Sequence, residues 1–131
     1  MRILVIDDDR PHGESLLDLL QSKGHEALYA ETDADARWLA DLLRFDLAIL
    51  DHDMPETSGL HLAAVLAEKL PGLLCVIVSA RPASEIPLGG LRFLPKPLAI
   101  PALLEILLEF ERKKEGAPLV VRSDFPMVKY R

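Results

Sequence analysis

The chain has 131 residues, of which 50% are hydrophobic and 27% charged, with one cysteine and a formal net charge of −6 at pH 7. This composition is typical of a single globular domain that folds without disulfides in a reducing, cytoplasmic environment. Residues 1–111 carry 19 acidic and 9 basic side chains, and such an acidic surface repels phosphate backbones, so nucleic acid is a poor candidate ligand for this domain.

Short apolar runs alternate with amphipathic stretches of helical length, which predicts an α/β fold with a parallel sheet. The opening MRILVIDDD meets acidic residues too soon for a signal peptide or a membrane span. Its apolar run at 3–6 predicts a central strand buried on both faces. A helix follows and stops near Lys23 and Gly24, and residues 26–30 form a second strand. Thr32 can cap a second helix, whose apolar face consists of Trp38, Leu39, Leu42 and Leu43.

The same alternation continues through the second half of the chain. Residues 47–50 predict a third strand, 59–69 a third helix and 74–78 a fourth strand, in which Cys75 is an inert buried thiol. Phe93 and Leu94 mark a short fifth strand. Pro101 suits the start of a last helix that runs to about Lys114.

Polar residues follow the predicted strands at the points where they end. Asp7 and Asp8 follow strand one, Asp51 follows strand three, Ser79 follows strand four and Lys96 follows strand five. In open α/β sheets, ligands bind in the crevice at the carboxyl ends of the strands. Converging carboxylates repel unless a cation lies among them, and oxygen ligands suit Mg²⁺. A lysine and a hydroxyl beside them can hold the oxygens of a phosphoryl group.

The sequence resembles the receiver domain of two-component response regulators over about residues 1–114. The resemblance rests on four segments in the expected order: ILVIDDD at 3–9, DLAILDHDMP at 46–55 with Gly59 after it, VIVSA at 76–80 and FLPKP at 93–97. There are 43 residues from Asp8 to Asp51 and 28 from Asp51 to Ser79. The resemblance implies a flavodoxin-like, doubly wound, five-stranded parallel sheet of order 2-1-3-4-5.

The resemblance also implies a phosphorylation site. Asp51 would be the nucleophile that takes a phosphoryl group from a phosphohistidine, and Asp7 and Asp8 would hold Mg²⁺ together with Asp51. The backbone carbonyl of Asp53 would be a further metal ligand. Asp53 and Arg81 also lie two residues after the phosphoacceptor and the hydroxyl residue, at positions where family members tune the lifetime of the phosphate. The direction of that effect stays open here.

A conformational switch is the second implication. Ser79 would hydrogen-bond the aspartyl phosphate and Lys96 would pair with one of its oxygens, while Phe93 matches the aromatic switch position. Lys96 and Pro97 match a dipeptide that is cis in the family. The implied partner is a sensor histidine kinase or a histidine phosphotransfer protein. The chain would be a switch that gains and loses its own phosphate, with no turnover of a separate substrate.

One segment departs from the family pattern. Lys96 follows Ser79 by 17 positions, fewer than is usual, and residues 81–90 between them include two prolines and a glycine pair. These residues disfavour a helix interior, so we expect a fourth helix that is a single turn or missing. Because the family usually signals through this region, the downstream partner stays open.

The last helix has more apolar surface than one core-facing stripe requires. Its apolar residues spread over roughly 240° of arc, against the ~100° that such a stripe needs; they are Ala102, Leu103, Leu104, Ile106, Leu107, Leu108 and Phe110. We expect the surplus to be covered by a second subunit in a homodimer, or by a returning tail through residues 119–121.

The interpretation favoured by these patterns is a receiver domain at 1–114 with a basic tail or linker at 115–131, most simply a stand-alone receiver or adaptor. A receiver-like scaffold that works without phosphorylation is one alternative. A phosphatase of the haloacid dehalogenase type is another, because Asp51-His52-Asp53 after an apolar strand resembles its Asp-x-Asp motif. That motif usually opens the chain, whereas here Asp7 and Asp8 precede it.

Overall fold

The computed structural model describes the backbone of residues 1–122 and the side chains of residues 1–114. Strands and helices alternate along it, in the order β1 (Arg2–Ile6), α1 (Arg10–Ser22), β2 (Glu26–Ala30), α2 (Asp33–Leu42), β3 (Leu47–Asp51), α3 (Gly59–Lys69), β4 (Leu74–Ser79), β5 (Arg92–Pro95) and α4 (Ile100–Arg122). The chain divides into two compact units, the first ending at Leu98 and the second beginning at Ala99. The sheet and α1–α3 belong to the first unit, and α4 belongs to the second.

The five strands form one sheet of order β2-β1-β3-β4-β5 in which every neighbouring pair is parallel. Ile3 of β1, for example, lies opposite Ala27 of β2 and Leu47 of β3. The sheet order confirms the predicted flavodoxin-like, doubly wound fold. Since all strands point the same way, their carboxyl ends meet at one edge, where the polar residues follow.

The central strands are buried because their apolar runs are continuous. Four of the five residues of β1 are buried, and all five of β3. A core cluster within the first unit joins these strands to α3, with fully buried Leu4, Leu50, Leu62, Leu66 and Ile77 among its members. Burial of each such side chain contributes roughly 1.5–3 kcal/mol, so this cluster supplies much of the stability that holds the sheet edge in place.

Helix α2 presents a different face to the core than the sequence predicts. Ala36 and Ala40 are buried, while Trp38 is 61% and Leu42 58% exposed. At 3.6 residues per turn, Trp38 lies about 200° around the helix from Ala36, so burial of the alanine face turns the tryptophan outward. The prediction that Trp38 and Leu42 face the core is therefore wrong, although the Thr32 cap is confirmed by the Asp35 N–H, which donates to Thr32 Oγ1 at 3.1 Å.

The segment between β4 and β5 contains one 3₁₀ turn at Ala83–Glu85 and no α-helix, which confirms the predicted loss of the fourth helix. Ile86 after this turn is buried, and Leu88 and Leu91 pack against the core cluster. Gly89 and Gly90 adopt φ values of +60° and +94°, which residues with a Cβ rarely adopt. The loop between β4 and β5 thus covers part of the core in place of the missing α-helix.

Helix α4 continues past Lys114, the predicted end, to Arg122. Residues 119–121 therefore extend the same helix and cannot fold back over its earlier turns, so the returning tail predicted through them is wrong; residues 123–131 lie outside the described part. Leu108 of α4 is 52% exposed. Among the described residues, no helix is long and apolar enough to span a membrane.

Candidate functional site

Three carboxylates converge at the carboxyl edge of the sheet. Asp7 and Asp8 follow β1, and Asp51 ends the neighbouring strand β3. One oxygen from each lies within 4.8 Å of the others. Asp7 and Asp51 are buried and Asp8 is exposed, so the group is open to solvent on one side. The structure brings together the acidic trio that the sequence predicts.

The geometry of this trio fits a magnesium ion. Mg²⁺ binds oxygen at about 2.1 Å, so two of its ligands lie at most roughly 4.2 Å apart. The three carboxylate oxygens, all within 4.8 Å of one another, are near enough to share one such ion. Burial raises the pKa of Asp7, and the nearby charge of Asp51 raises it further; the Asp9 N–H and the charge of Lys96 only partly oppose this. A cation bound among the carboxylates would offset both the cost of burying their negative charges and the repulsion between them. The trio is therefore able to bind a metal ion.

Lys96 reaches this edge from the end of β5. Its Nζ lies 3.1 Å from Asp51 Oδ2 and 3.9 Å from Asp7 Oδ2. Burial alone would lower the pKa of Lys96, but the hydrogen bond to Asp51 and the charges of Asp51, Asp7 and Asp8 together raise it. The ammonium therefore stays charged against Asp51. The second carboxylate oxygen of Asp51, Oδ1, accepts the Asp53 N–H at 3.0 Å.

The loop after Asp51 depends on a close approach at Gly59. The Gly59 N–H donates to the His52 carbonyl at 2.9 Å, and Ser58 caps α3 by accepting the His61 N–H at 3.1 Å. A Cβ at Gly59 would lie 2.8 Å from both the Asp51 carbonyl oxygen and His52 Cα. Only glycine lets α3 begin against the end of β3. Gly59 is part of the sequence resemblance, but the sequence does not indicate this close contact.

Tyr29 of β2 braces the loop that carries the first two carboxylates, and sequence reasoning missed it. Its hydroxyl donates to the Asp7 backbone carbonyl, and burial, followed by the charge of Glu31, raises its pKa to about 12. The ring lies where a Cβ on Gly13 would be, only 2.1 Å away, and the Arg10 guanidinium stands 5.7 Å from its centroid. No local pattern links Tyr29 to Asp7; only the strand register brings them together.

Ser79 is fully buried at the end of β4, but its hydroxyl faces Asp53. It donates to Asp53 Oδ2 at 3.0 Å and accepts the Arg81 N–H at 3.0 Å. Arg81 Nε lies 3.0 Å from the other Asp53 oxygen, Oδ1. The Ser79 carbonyl accepts the Lys96 N–H at 2.9 Å, which ties β4 to β5 beside the site.

The remaining site residues lie on β5 and just after it. Phe93 is partly buried and packs against the core cluster. The peptide bond between Lys96 and Pro97 is cis. His12, which no sequence pattern singled out, places Nδ1 3.7 Å from Asp7 Oδ2 on the exposed side of the trio.

A five-stranded parallel sheet with an acidic trio and a lysine at its carboxyl edge defines the class of receiver-like α/β domains. The family model described as response regulator receiver domain matches residues 3–108, and the chain belongs to this family. The response regulator receiver protein of Anaeromyxobacter sp. strain Fw109-5 is 34% identical over 110 residues, which make up 80% of this chain and 46% of that protein. The chain spans about half the length of the curated relatives it matches.

Solved structures give the same result. A CheY-like receiver domain protein from Methanospirillum hungatei superimposes with a TM-score of 0.78 at 26% identity, covering 88% of this chain and 97% of that one. Response regulator TrrA from Thermotoga maritima, solved in complex with Mg²⁺ and BeF, has a TM-score of 0.75 at 28% identity, covering 83% and 97%. A receiver domain implies, in general, a cognate histidine kinase, and receivers are usually classed as non-enzymatic switches.

Proposed function

We propose that this chain is a phosphorylation-dependent receiver that accepts a phosphoryl group on Asp51. The donor would be the phosphohistidine of a sensor histidine kinase or of a histidine phosphotransfer protein. The observation that carries the proposal is the position of Asp51: the residue is 6% exposed, and its carboxylate pairs with Lys96 at 3.1 Å and lies within 4.8 Å of two further carboxylates. A carboxylate held among a lysine and metal ligands is equipped for phosphoryl transfer.

The reaction is a substitution at phosphorus. A carboxylate oxygen of Asp51 forms a bond to phosphorus, the P–N bond of the phosphohistidine breaks, and its electron pair returns to the imidazole. Mg²⁺, held by Asp7, Asp8, Asp51 and the backbone carbonyl of Asp53, would supply positive charge against the transferring oxygens. Lys96 adds a second positive charge from the end of β5, at the same edge of the sheet. Positioning and charge neutralisation are the main requirements of a loose transition state of this kind.

Phosphorylation would then shift a two-state equilibrium. Ser79 would turn its hydroxyl to the phosphoryl group, Lys96 would pair with another of its oxygens, and Phe93 would follow the movement of Ser79. The direct contacts between Ser79 and strand β5 support this coupling. Ser79 lies opposite Pro95 in the pairing of β4 with β5, and its carbonyl accepts the Lys96 N–H. The chain would act as a switch, and no separate substrate would be turned over.

The organisation of the chain is part of the proposal. Residues 1–114 would be the receiver domain, and residues 115–131 a basic tail or linker. A second copy would cover the exposed apolar side chains of α4, of which Leu108 is one. The kinase partner and the output would be set by surfaces other than the shortened segment around Ala83–Glu85, because little helical surface remains there.

Incubation with Mg²⁺ and a small acyl phosphate, followed by intact-mass spectrometry, tests the proposal. The chain should gain one phosphoryl group, and Asp51→Asn should gain none. Asp18→Asn, which changes an exposed carboxylate of α1, is the matched control and should behave like the unaltered chain. Absence of both modification and Mg²⁺ binding would favour the scaffold, and multiple-turnover hydrolysis of phosphomonoesters would favour the phosphatase.

A further inference from the structure

Ser79, Asp53 and Arg81 form a closed ring of contacts beside the phosphoacceptor. Each joins the next at 3.0 Å: the Ser79 hydroxyl to Asp53 Oδ2, Asp53 Oδ1 to Arg81 Nε, and the Arg81 N–H to Ser79 Oγ. We call these three residues the serine latch. Ser79 is fully buried, so its hydroxyl is shielded from bulk water and depends on these partners.

A serine hydroxyl has only one proton to donate. In the latch this proton is directed to Asp53, so the hydroxyl cannot donate to a phosphoryl oxygen on Asp51 at the same time. We propose that the Asp53 side chain is a positioning residue that holds Ser79 away from the phosphoacceptor, and that a phosphoryl group must compete with it for the hydroxyl. This inference rests on the proposed function and concerns the energy of switching.

The exposure of the two charged members allows the latch to open. The side chain of Asp53 is 39% exposed and that of Arg81 is 59% exposed. When Ser79 leaves, the Asp53 carboxylate keeps Arg81 and gains water, so no buried charge is left without a partner. The hydroxyl then exchanges one anionic acceptor for another. The latch is therefore a two-state element that a ligand on Asp51 can bias.

Calorimetric titration of the full chain with beryllium fluoride, a phosphoryl mimic, at saturating Mg²⁺ measures this competition. The comparison uses the unaltered chain, Asp53→Ala, Ser79→Ala and the double variant. Loss of one hydrogen bond to a charged acceptor predicts that Asp53→Ala binds beryllium fluoride about tenfold more tightly than the unaltered chain. In the Ser79→Ala background the same change should alter the affinity less than about twofold, because the residue that Asp53 restrains is gone.

A general charge effect would give a different result. If Asp53 only repelled the incoming anion, its removal would tighten binding equally with and without Ser79, and that outcome would overturn the latch. Glu56→Ala, which removes an exposed carboxylate from the same loop, is the control and should leave the affinity unchanged. Asp53→Asn, which keeps the size but weakens the acceptor, should give a smaller gain in the same direction.

The experiment separates this inference from the proposed function. Failure of the unaltered chain to bind beryllium fluoride with Mg²⁺ would overturn the proposed function and the latch together. Normal binding by the unaltered chain with no gain in Asp53→Ala would overturn the latch alone.

Discussion

Lys96 Nζ lies 3.1 Å from Asp51 Oδ2, although 45 residues separate the two in the chain. They meet because β3 and β5 flank β4 in a parallel sheet and both end at the same edge. This ion pair places a positive charge directly against the proposed phosphoacceptor. It also couples the chemistry to β5, where Phe93 lies.

Replacement of Lys96 tests the role of this charge. Lys96→Met should slow phosphorylation of the chain by an acyl phosphate by about 10²-fold to 10³-fold, the usual cost of removing one group that stabilises developing charge. The initial rate, followed by intact mass, is the measurement. Lys23→Met, at an exposed site after α1, is the control and should react at the normal rate. A Lys96→Met rate within twofold of normal would contradict the assigned role.

Removal of one carboxylate from the trio should have opposite effects with and without metal. Asp7→Asn removes a buried charge whose pKa is raised by burial and by Asp51, so in a chelator the free energy of unfolding should increase. At a Mg²⁺ concentration of about 100 Kd, the unaltered chain should gain about 2.7 kcal/mol and Asp7→Asn much less. Thermal unfolding in chelator and in Mg²⁺ measures both effects. Equal stabilisation of both proteins by Mg²⁺ would exclude Asp7 as a ligand.

Gly59→Ala should damage both the fold and the site. The added Cβ would lie 2.8 Å from the Asp51 carbonyl oxygen and His52 Cα, which are backbone atoms that cannot rotate away. We expect a loss of about 1–3 kcal/mol in the free energy of unfolding and weaker Mg²⁺ binding, measured by denaturant titration and calorimetry. Ala64→Ser, at an exposed site of α3, should change stability by less than about 0.5 kcal/mol. A Gly59→Ala protein of normal stability would show that α3 does not press against the end of β3.

Alkaline pH should weaken the fold through Cys75. Burial raises the pKa of this thiol from 9.0 to about 11, so the folded chain holds a proton that the unfolded chain releases above pH 9. The contribution of the thiol to the free energy of unfolding is fully present below pH 9. That free energy should fall by on the order of 2 kcal/mol as pH rises from 9 to 11. Cys75→Ala should flatten this part of the profile. A slope that is unchanged in Cys75→Ala would assign the loss to other groups, Tyr29 first.

Most of the fold can be predicted from local sequence patterns, because the central strands β1, β3 and β4 contain continuous apolar runs and helices α1–α3 each begin at a capping side chain. The carboxylate trio follows directly, since residues after parallel strands must share an edge. The features that could not be predicted from the sequence depend on how the side chains pack. The buried face of α2 is decided by Ala36 and Ala40, whose small size permits close approach, and the outward position of Trp38 follows from that.

The same limit applies inside the site. The contact of Tyr29 with the Asp7 carbonyl depends on strand register, and the choice of Asp53 as the acceptor for Ser79 depends on side-chain geometry at the ends of two strands. Neither leaves a spacing signal in the sequence. These contacts adjust the site, whereas the residues that define it are all visible in the sequence.

Borohydride trapping tests the central claim most directly, because it identifies the residue that carries the phosphoryl group. Borohydride reduces an acyl phosphate to an alcohol, so an aspartyl phosphate becomes homoserine, which peptide mass spectrometry can locate. After incubation of the full chain with a phosphohistidine donor and Mg²⁺, we predict homoserine at position 51. Asp7 and Asp8, the other two members of the trio, should remain unmodified. Homoserine at another aspartate, or none after efficient phosphorylation, would contradict the account.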